Sequence, residues 1–253
     1  MNDTGNNLFW NCFMRVYLDN NVLVDIEDGN LRLSDFISIQ NVEYYYSEAH
    51  LNELLEATSN PKVSQGRRLE LITKLCGTNS ILANPHNPPD ICSKSPDEMY
   101  SFVDTPLRTM INMFVLRDTD VFQSIRQHLG FDSRSFNNVK PDEVLGVLDL
   151  RMQEKFNIGL VQYLCQSEAL SGRTLFVTLL DIIDAANYWG DRKTAHSEVA
   201  RLNDASHAYY AQICDILVTN DKKMIAKVNV IYSFLGVDTK VLTVRDFFNL
   251  KFV

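Results

Sequence analysis

The sequence has no excess of positive charge. Its 24 Lys and Arg stand against 32 Asp and Glu, a formal net charge of −8. A protein that holds nucleic acid by surface electrostatics normally presents a basic face, so that class is disfavoured. The exclusion weakens where acids bind cations, because a bound cation reverses the local field. The five cysteines are an odd number, and no two stand as C-x-x-C. Free thiols in a reducing compartment are expected. The opening MNDTGNNLFWNC has neither a basic run nor a long apolar run, so no secretory leader is expected there. The most apolar helical stretch, Thr174–Tyr188, is interrupted by Asp181 and Asp184, and it is too short and polar to span a bilayer. The expectation is a cytoplasmic protein with no membrane association. There is no G-x-x-x-x-G-K, no nucleotide-binding glycine fingerprint and no G-x-S-x-G. Nothing supports a Ser/His/Asp or Cys/His nucleophile, and there is no internal repeat.

What is present is an ordinary globular composition, 45% hydrophobic and 22% charged over 253 residues. That length can bury a substantial core in one large domain, residues 1–253. Compact apolar runs predict strands at Phe13–Leu18, Val42–Tyr46, Ile216–Thr219 and Lys240–Val244. Helical spacing predicts helices at Ser34–Ile39 (with Ser34 as N-cap), Glu48–Thr58, Gln65–Leu75, Glu154–Leu170, Thr174–Tyr188, Ser197–Cys214 and Lys222–Leu235. A helix opens at Pro141, with Pro in its first turn and Asp142 and Glu143 favourable to the dipole. Residues 96–125 read as broadly helical, Thr119–His128 as helical, Asp132–Asn138 as a linker, and Asp246–Leu250 as a terminal helical turn. Thr78–Lys94, rich in Asn and Pro, reads as a loop. Strands alternating with helices imply an α/β fold, with a parallel central sheet flanked by helices. Its core falls at about 13–75 and 198–253, with a mostly helical insertion over 84–197.

Acids stand at the ends of these elements. Asp19 closes the first strand and Asp221 the third. Glu53 lies in the helix after the second strand, and Asp204 in the helix before the third. In an open α/β sheet, ligands bind outside the carboxyl ends of the strands. Like charges brought that close need a compensating cation. Mg²⁺ and Mn²⁺ prefer carboxylate oxygen, and such a site can activate water against a phosphodiester.

The segment Tyr17-Leu-Asp-Asn-Asn-Val-Leu-Val-Asp25 resembles the opening of PIN-domain nucleases, where a strand runs into D-x-N-V-L. Ser47 followed by Glu53-Leu54 is similar to their second motif, Asp204-Ala205 to the start of their third, and Leu217-Val-Thr-Asn-Asp221 to their fourth. The likeness covers roughly the first and last 60 residues. It implies a PIN-like α/β/α sandwich and a metal-dependent endoribonuclease using Mg²⁺ or Mn²⁺. Asp19, Glu53, Asp204 and Asp221 would hold the metal and carry catalysis. Asn21, Thr219, Asn220 and His207 would support them or meet substrate. RNA is the implied partner, with DNA or flap structures as the alternative. A protein inhibitor or antitoxin and a homo-oligomer remain open. Asn20 departs from the pattern, since that position is usually small or hydroxyl-bearing. The long helical middle departs too, and a non-catalytic PIN-fold module that binds RNA or protein is the competing reading.

Plainer readings stand beside these. Asp19 suits a turn and Asp204 a helix first turn, while Asp221 suits an N-cap, which metal binding does not exclude. Glu48 and Glu56 compete with Glu53. His207 packs beside Asp204. His50-x-x-Glu53 has metal-ligand spacing, but without the second His of a zinc-protease helix. Asp181 and Asp184 read as the solvated side of their helix. Arg67, Arg68, Arg192, Lys193, Arg201, Lys222 and Lys223 read as solvated, with phosphate contact as the sharper alternative. The Tyr44–Tyr46 run reads as strand core rather than a base-stacking platform.

Overall fold

Strand β1 (Met14–Leu18) is the centre from which the sheet grows in both directions. The computed structural model describes residues 13–57, 64–84, 88–103, 127–131, 136–166, 172–190 and 195–250. After β1 come α1 (Asn20–Glu27), α2 (Leu33–Ile37), β2 (Val42–Ser47), α3 (Glu48–Ala57), α4 (Gln65–Cys76), β3 (Asn79–Leu82), β4 (Asp90–Ser93) and α5 (Pro96–Phe102). The later elements are α6 (Pro141–Phe156), α7 (Leu160–Gln166), α8 (Gly172–Ala185), α9 (Ala195–Ala211), β5 (Ile216–Val218), α10 (Lys222–Leu235), β6 (Lys240–Leu242) and α11 (Val244–Phe248). The sheet order is β4-β3-β2-β1-β5-β6, parallel throughout except for β3 against β4.

The sheet is buried on both faces, so its central strands are apolar without clean polar alternation. Val16, Leu18, Tyr44, Tyr46, Ile216 and Val218 point to one side, where Val22, Leu51, Leu54, Ile72 and Phe247 cover them. Tyr17, Tyr45 and Leu217 point to the other, against Leu148, Leu179, Tyr209 and Ile231. The aromatic run of β2 is therefore core, as the composition suggested. Residues of α6, α7 and α8 lie in the second cluster together with β1, α9 and α10. The helical middle shares the core of the sheet rather than building one of its own.

Several boundaries differ from expectation, each for a physical reason. Thr78–Lys94 is not all loop. Asn79–Leu82 and Asp90–Ser93 pair antiparallel and carry the sheet edge into the region assigned to the insertion. Ser34 is not an N-cap: α2 begins at Leu33 after Arg32, with no side-chain cap. The helix expected over 154–170 is two. Asn157 takes a left-handed conformation that closes α6, and α7 starts at Leu160. Strand β6 is shorter than expected because Thr243 accepts from Asp246 N and caps α11. Most of residues 96–125 and 119–128 lie outside the described residues, as does part of 132–138. Cys76, Cys92, Cys165 and Cys214 are free thiols. Among the described residues, no helix is long and apolar enough to cross a membrane.

Candidate active site

From β1 the chain moves outward to β2 and β3, then returns to place β5 on the opposite flank of β1. The crevice at such a reversal, beyond the carboxyl ends of the strands, is where open α/β sheets bind ligands. Leu18 pairs with Val218, so the residues that follow each strand meet at this point. Asp19 N donates to Val218 O at 2.9 Å, and Thr219 N to Leu242 O at 2.9 Å.

Asp19 is 3% exposed. Its Oδ1 accepts from Asn20 N at 2.8 Å, while Oδ2 accepts from Asn21 Nδ2 at 2.9 Å and Thr219 Oγ at 2.8 Å. Burial raises its pKa above 3.8. His207 and the Thr219 bond oppose the rise, and Glu53 adds to it. Asp221 caps α10, its Oδ1 accepting from Lys223 N at 2.7 Å and Met224 N at 3.1 Å. Its own N–H donates to Thr219 Oγ at 3.1 Å. Thr219 thus lies between the two acids, bonded to both residues.

Glu53 reaches the crevice from α3. Its Oε2 accepts from Asn20 Nδ2, and its Oε1 lies 2.8 Å from His207 Nε2. Glu48, the competing acid, accepts from Tyr210 OH at 2.9 Å instead. His207 Nδ1 lies 2.8 Å from Tyr17 OH, which is 2.6 Å from Ser47 Oγ. His207 is therefore tied to Glu53 rather than simply packed beside Asp204, and its Nε2 is 3.8 Å from Asp19 Oδ1. Asp204, on α9, is half-buried. Its pKa is pushed well above 3.8 by burial, then by the charges of Asp19 and Asp221. Lys227 opposes this, and Glu53 adds to it. Asp19, Glu53, Asp204 and Asp221 are thus brought into one electrostatic cluster. Asn220 faces elsewhere, donating to Asp25 Oδ2 at 3.1 Å and accepting from Val244 N at 3.4 Å. Asn21 is exposed and bonded to Asp19.

A second layer of charge lies behind the crevice. Lys227 Nζ is 2.7 Å from Asp184 Oδ1, Arg201 Nε is 2.7 Å from Asp181 Oδ1, and Arg201 Nη1 is 3.9 Å from Asp184 Oδ2. Asp184 and Arg201 are buried, and Lys227 is 2% exposed. This corrects the solvated reading of Asp184 and Arg201. Arg68, also read as solvated, is buried against Glu27 and Asn20. Ionic side chains are rarely buried unless paired, but the partners come from distant segments, so no local pattern marks them. Tyr17, Ser47, Asn20 and Arg68 were not singled out as site residues either. Tyr17, Asn20 and Ser47 stand in the segments that carry the sequence resemblance, and that is their local signal.

By donor type the four carboxylates fit a hard divalent cation, and the raised proton affinity of Asp19 and Asp204 is what an added positive charge would relieve. Their side chains are not gathered as ligands: among the described residues, no three Asp, Glu, His or Cys converge to hold a metal. Glu53 is instead turned onto Asn20 and His207.

Comparison with family models, with curated proteins and with solved structures finds no match to this chain.

Proposed function

We propose that this chain is a PIN-like, metal-dependent nuclease that hydrolyses phosphodiester bonds, with RNA as the preferred substrate. The observation that carries the reading is the charge cluster itself. Burial and then the charges of Asp19, Asp221 and Glu53 push the pKa of Asp204 well above 3.8, and Glu53 adds to the burial-driven rise of Asp19, at the reversal point of the sheet. The motif order in the sequence supports the same reading. Asp19, Glu53, Asp204 and Asp221 would hold one or two Mg²⁺ or Mn²⁺ ions. The metal would supply an activated water and charge neutralisation at phosphorus. The protein's own groups do the positioning. Thr219 and Asn21 fix the Asp19 carboxylate, His207 and Asn20 fix Glu53, and the first-turn amides of α10 fix Asp221.

The test is cleavage of matched single-stranded RNA and DNA by purified protein, in Mn²⁺ and in chelator. Cleavage should need the metal, favour RNA, and vanish in Asp19→Asn and Asp221→Asn. Retained activity in both variants would sink the assignment. A second reading, a non-catalytic module that binds RNA or a protein, is favoured by one observation: Glu53 is bonded at both oxygens rather than turned toward Asp204. Absence of cleavage of either nucleic acid, with RNA binding intact in chelator, would select it.

A further inference from the structure

Asn20 is the residue by which this chain departs from the family pattern, and the structure gives it two acidic partners. Its backbone N–H donates to Asp19 Oδ1 at 2.8 Å, and its side-chain NH₂ donates to Glu53 Oε2. One residue therefore joins the acid of β1 to the acid of α3, which stand more than thirty positions apart. The amide can do this in only one of its two orientations. Arg68, from α4, fixes which one. Its Nη1 donates to Asn20 Oδ1 at 2.7 Å, while its Nε donates to Glu27 Oε2 at 2.7 Å. A guanidinium has donors and no acceptor, so only the amide oxygen can face it, and the NH₂ is left aimed at Glu53. Arg68 is 4% exposed and held on both arms, so its fork is fixed by α1 on two sides.

We propose that Arg68 and Asn20 form a positioning unit that sets the Glu53 carboxylate beside Asp19. Arg68 touches neither acid, and it acts through the orientation of the Asn20 amide. Groups that orient a metal-binding carboxylate without ligating the metal typically change affinity about 10–100-fold when removed. The inference rests on the metal-dependent reading of the site for its functional consequence, but not for its geometry.

The experiment is a double-mutant cycle on the full chain, using Asn20→Ser, Arg68→Lys and the pair. Mn²⁺ affinity is read by titration calorimetry and RNA cleavage by kcat and KM. Arg68→Lys keeps a cation for Glu27, so it avoids stranding a buried charge. Each single variant should weaken Mn²⁺ binding about tenfold and lower kcat with KM unchanged. The pair should be no worse than Asn20→Ser alone, because Arg68 acts only through that amide. Additive effects, or unchanged affinity in either single variant, overturn the proposal. If the wild-type chain binds no Mn²⁺ and cleaves nothing, the nuclease reading fails, and crystal structures of wild type and Arg68→Lys decide the positioning unit alone. Glu53 leaving Asn20 in Arg68→Lys supports it, and Glu53 unmoved refutes it.

Discussion

His207 Nε2 lies 2.8 Å from Glu53 Oε1, across 154 positions of sequence, and on its far side His207 Nδ1 lies 2.8 Å from Tyr17 OH. An ionised carboxylate only accepts, so Nε2 carries the proton. The line continues through Tyr17 to Ser47 Oγ at 2.6 Å. Ser47 closes β2, Tyr17 lies in β1 and His207 in α9, so three elements of the core meet in one chain of hydrogen bonds. Its links are buried, where a missing partner is costly.

Tyr17→Phe tests that chain. The change keeps the ring in the core but leaves His207 Nδ1 and Ser47 Oγ without the phenol between them. Urea denaturation at neutral pH should show a loss of about 1–3 kcal/mol. The ¹⁵N shifts of His207 should still report a protonated Nε2, because Glu53 remains its partner. A loss below that range would mean the phenol is not a needed link.

Asp204→Asn should stabilise the fold while removing function. Asp204 sits among the charges of Asp19, Asp221 and Glu53, which outweigh the opposing charge of Lys227. Replacing its carboxylate with a neutral amide removes that repulsion. In chelator, the variant should melt above the wild type. Mn²⁺ should raise the wild-type melting temperature and move the variant less, since binding to the folded state stabilises by mass action. Identical Mn²⁺ shifts in the two proteins would remove Asp204 from the site.

How much of this was legible in the sequence differs from element to element. The strands MRVYL, VEYYYS and ILV are dense apolar runs, and the sheet buries both their faces, so composition alone marked them. Strands β3 and β4 are four residues each, set among Asn and Pro, and their pairing is a long-range fact that no local pattern carries. Asp19 and Asp221 could be read because strand ends are visible in sequence. Glu53 could not be separated from Glu48 until α3 was seen to turn one toward His207 and the other toward Tyr210. Asp184, Arg201 and Arg68 read as ordinary surface charges, since burial of an ion pair depends on partners brought from elsewhere in the chain.

Lys227→Met isolates the buried ion pair behind the crevice. The change takes away the 2.7 Å contact of Lys227 Nζ with Asp184 Oδ1. Breaking a buried pair from one side typically costs about 3–5 kcal/mol, because a charge is left without compensation. Lys227→Met combined with Asp184→Leu should cost less than the single change, since both charges are gone. Urea midpoints at one pH measure both. A single-variant cost of about 1 kcal/mol or less would place the pair energetically with exposed salt bridges instead.

His50 gives the pH dependence. Ser47 N donates to its Nδ1 at 3.1 Å, and its Nε2 lies 2.7 Å from Leu18 O. Nδ1 must be bare to accept and Nε2 must carry hydrogen to donate, so only the neutral Nε2–H tautomer fits. A second proton would set N–H against N–H. Burial, then the charges of His207 and Arg68, hold its pKa well below 6.5, while the bond to Leu18 O works the other way. The folded value is thus depressed relative to the unfolded one. The stability it contributes is present above about pH 6.5 and is lost as pH falls through the folded value. His207 has the opposite sign. Burial opposes its charge, but Glu53, Asp19 and Asp204 together raise its pKa above 6.5, so its contribution is present below that pH and fades as pH rises through its folded value. The two partly cancel in the wild type. His50→Gln removes one of them, and its amide can still donate to Leu18 O. Measured by urea midpoints from pH 7.5 to about pH 5, the variant should lose less stability on acidification than the wild type. An equal or steeper fall in the variant would show that His50 does not drive the acid limb.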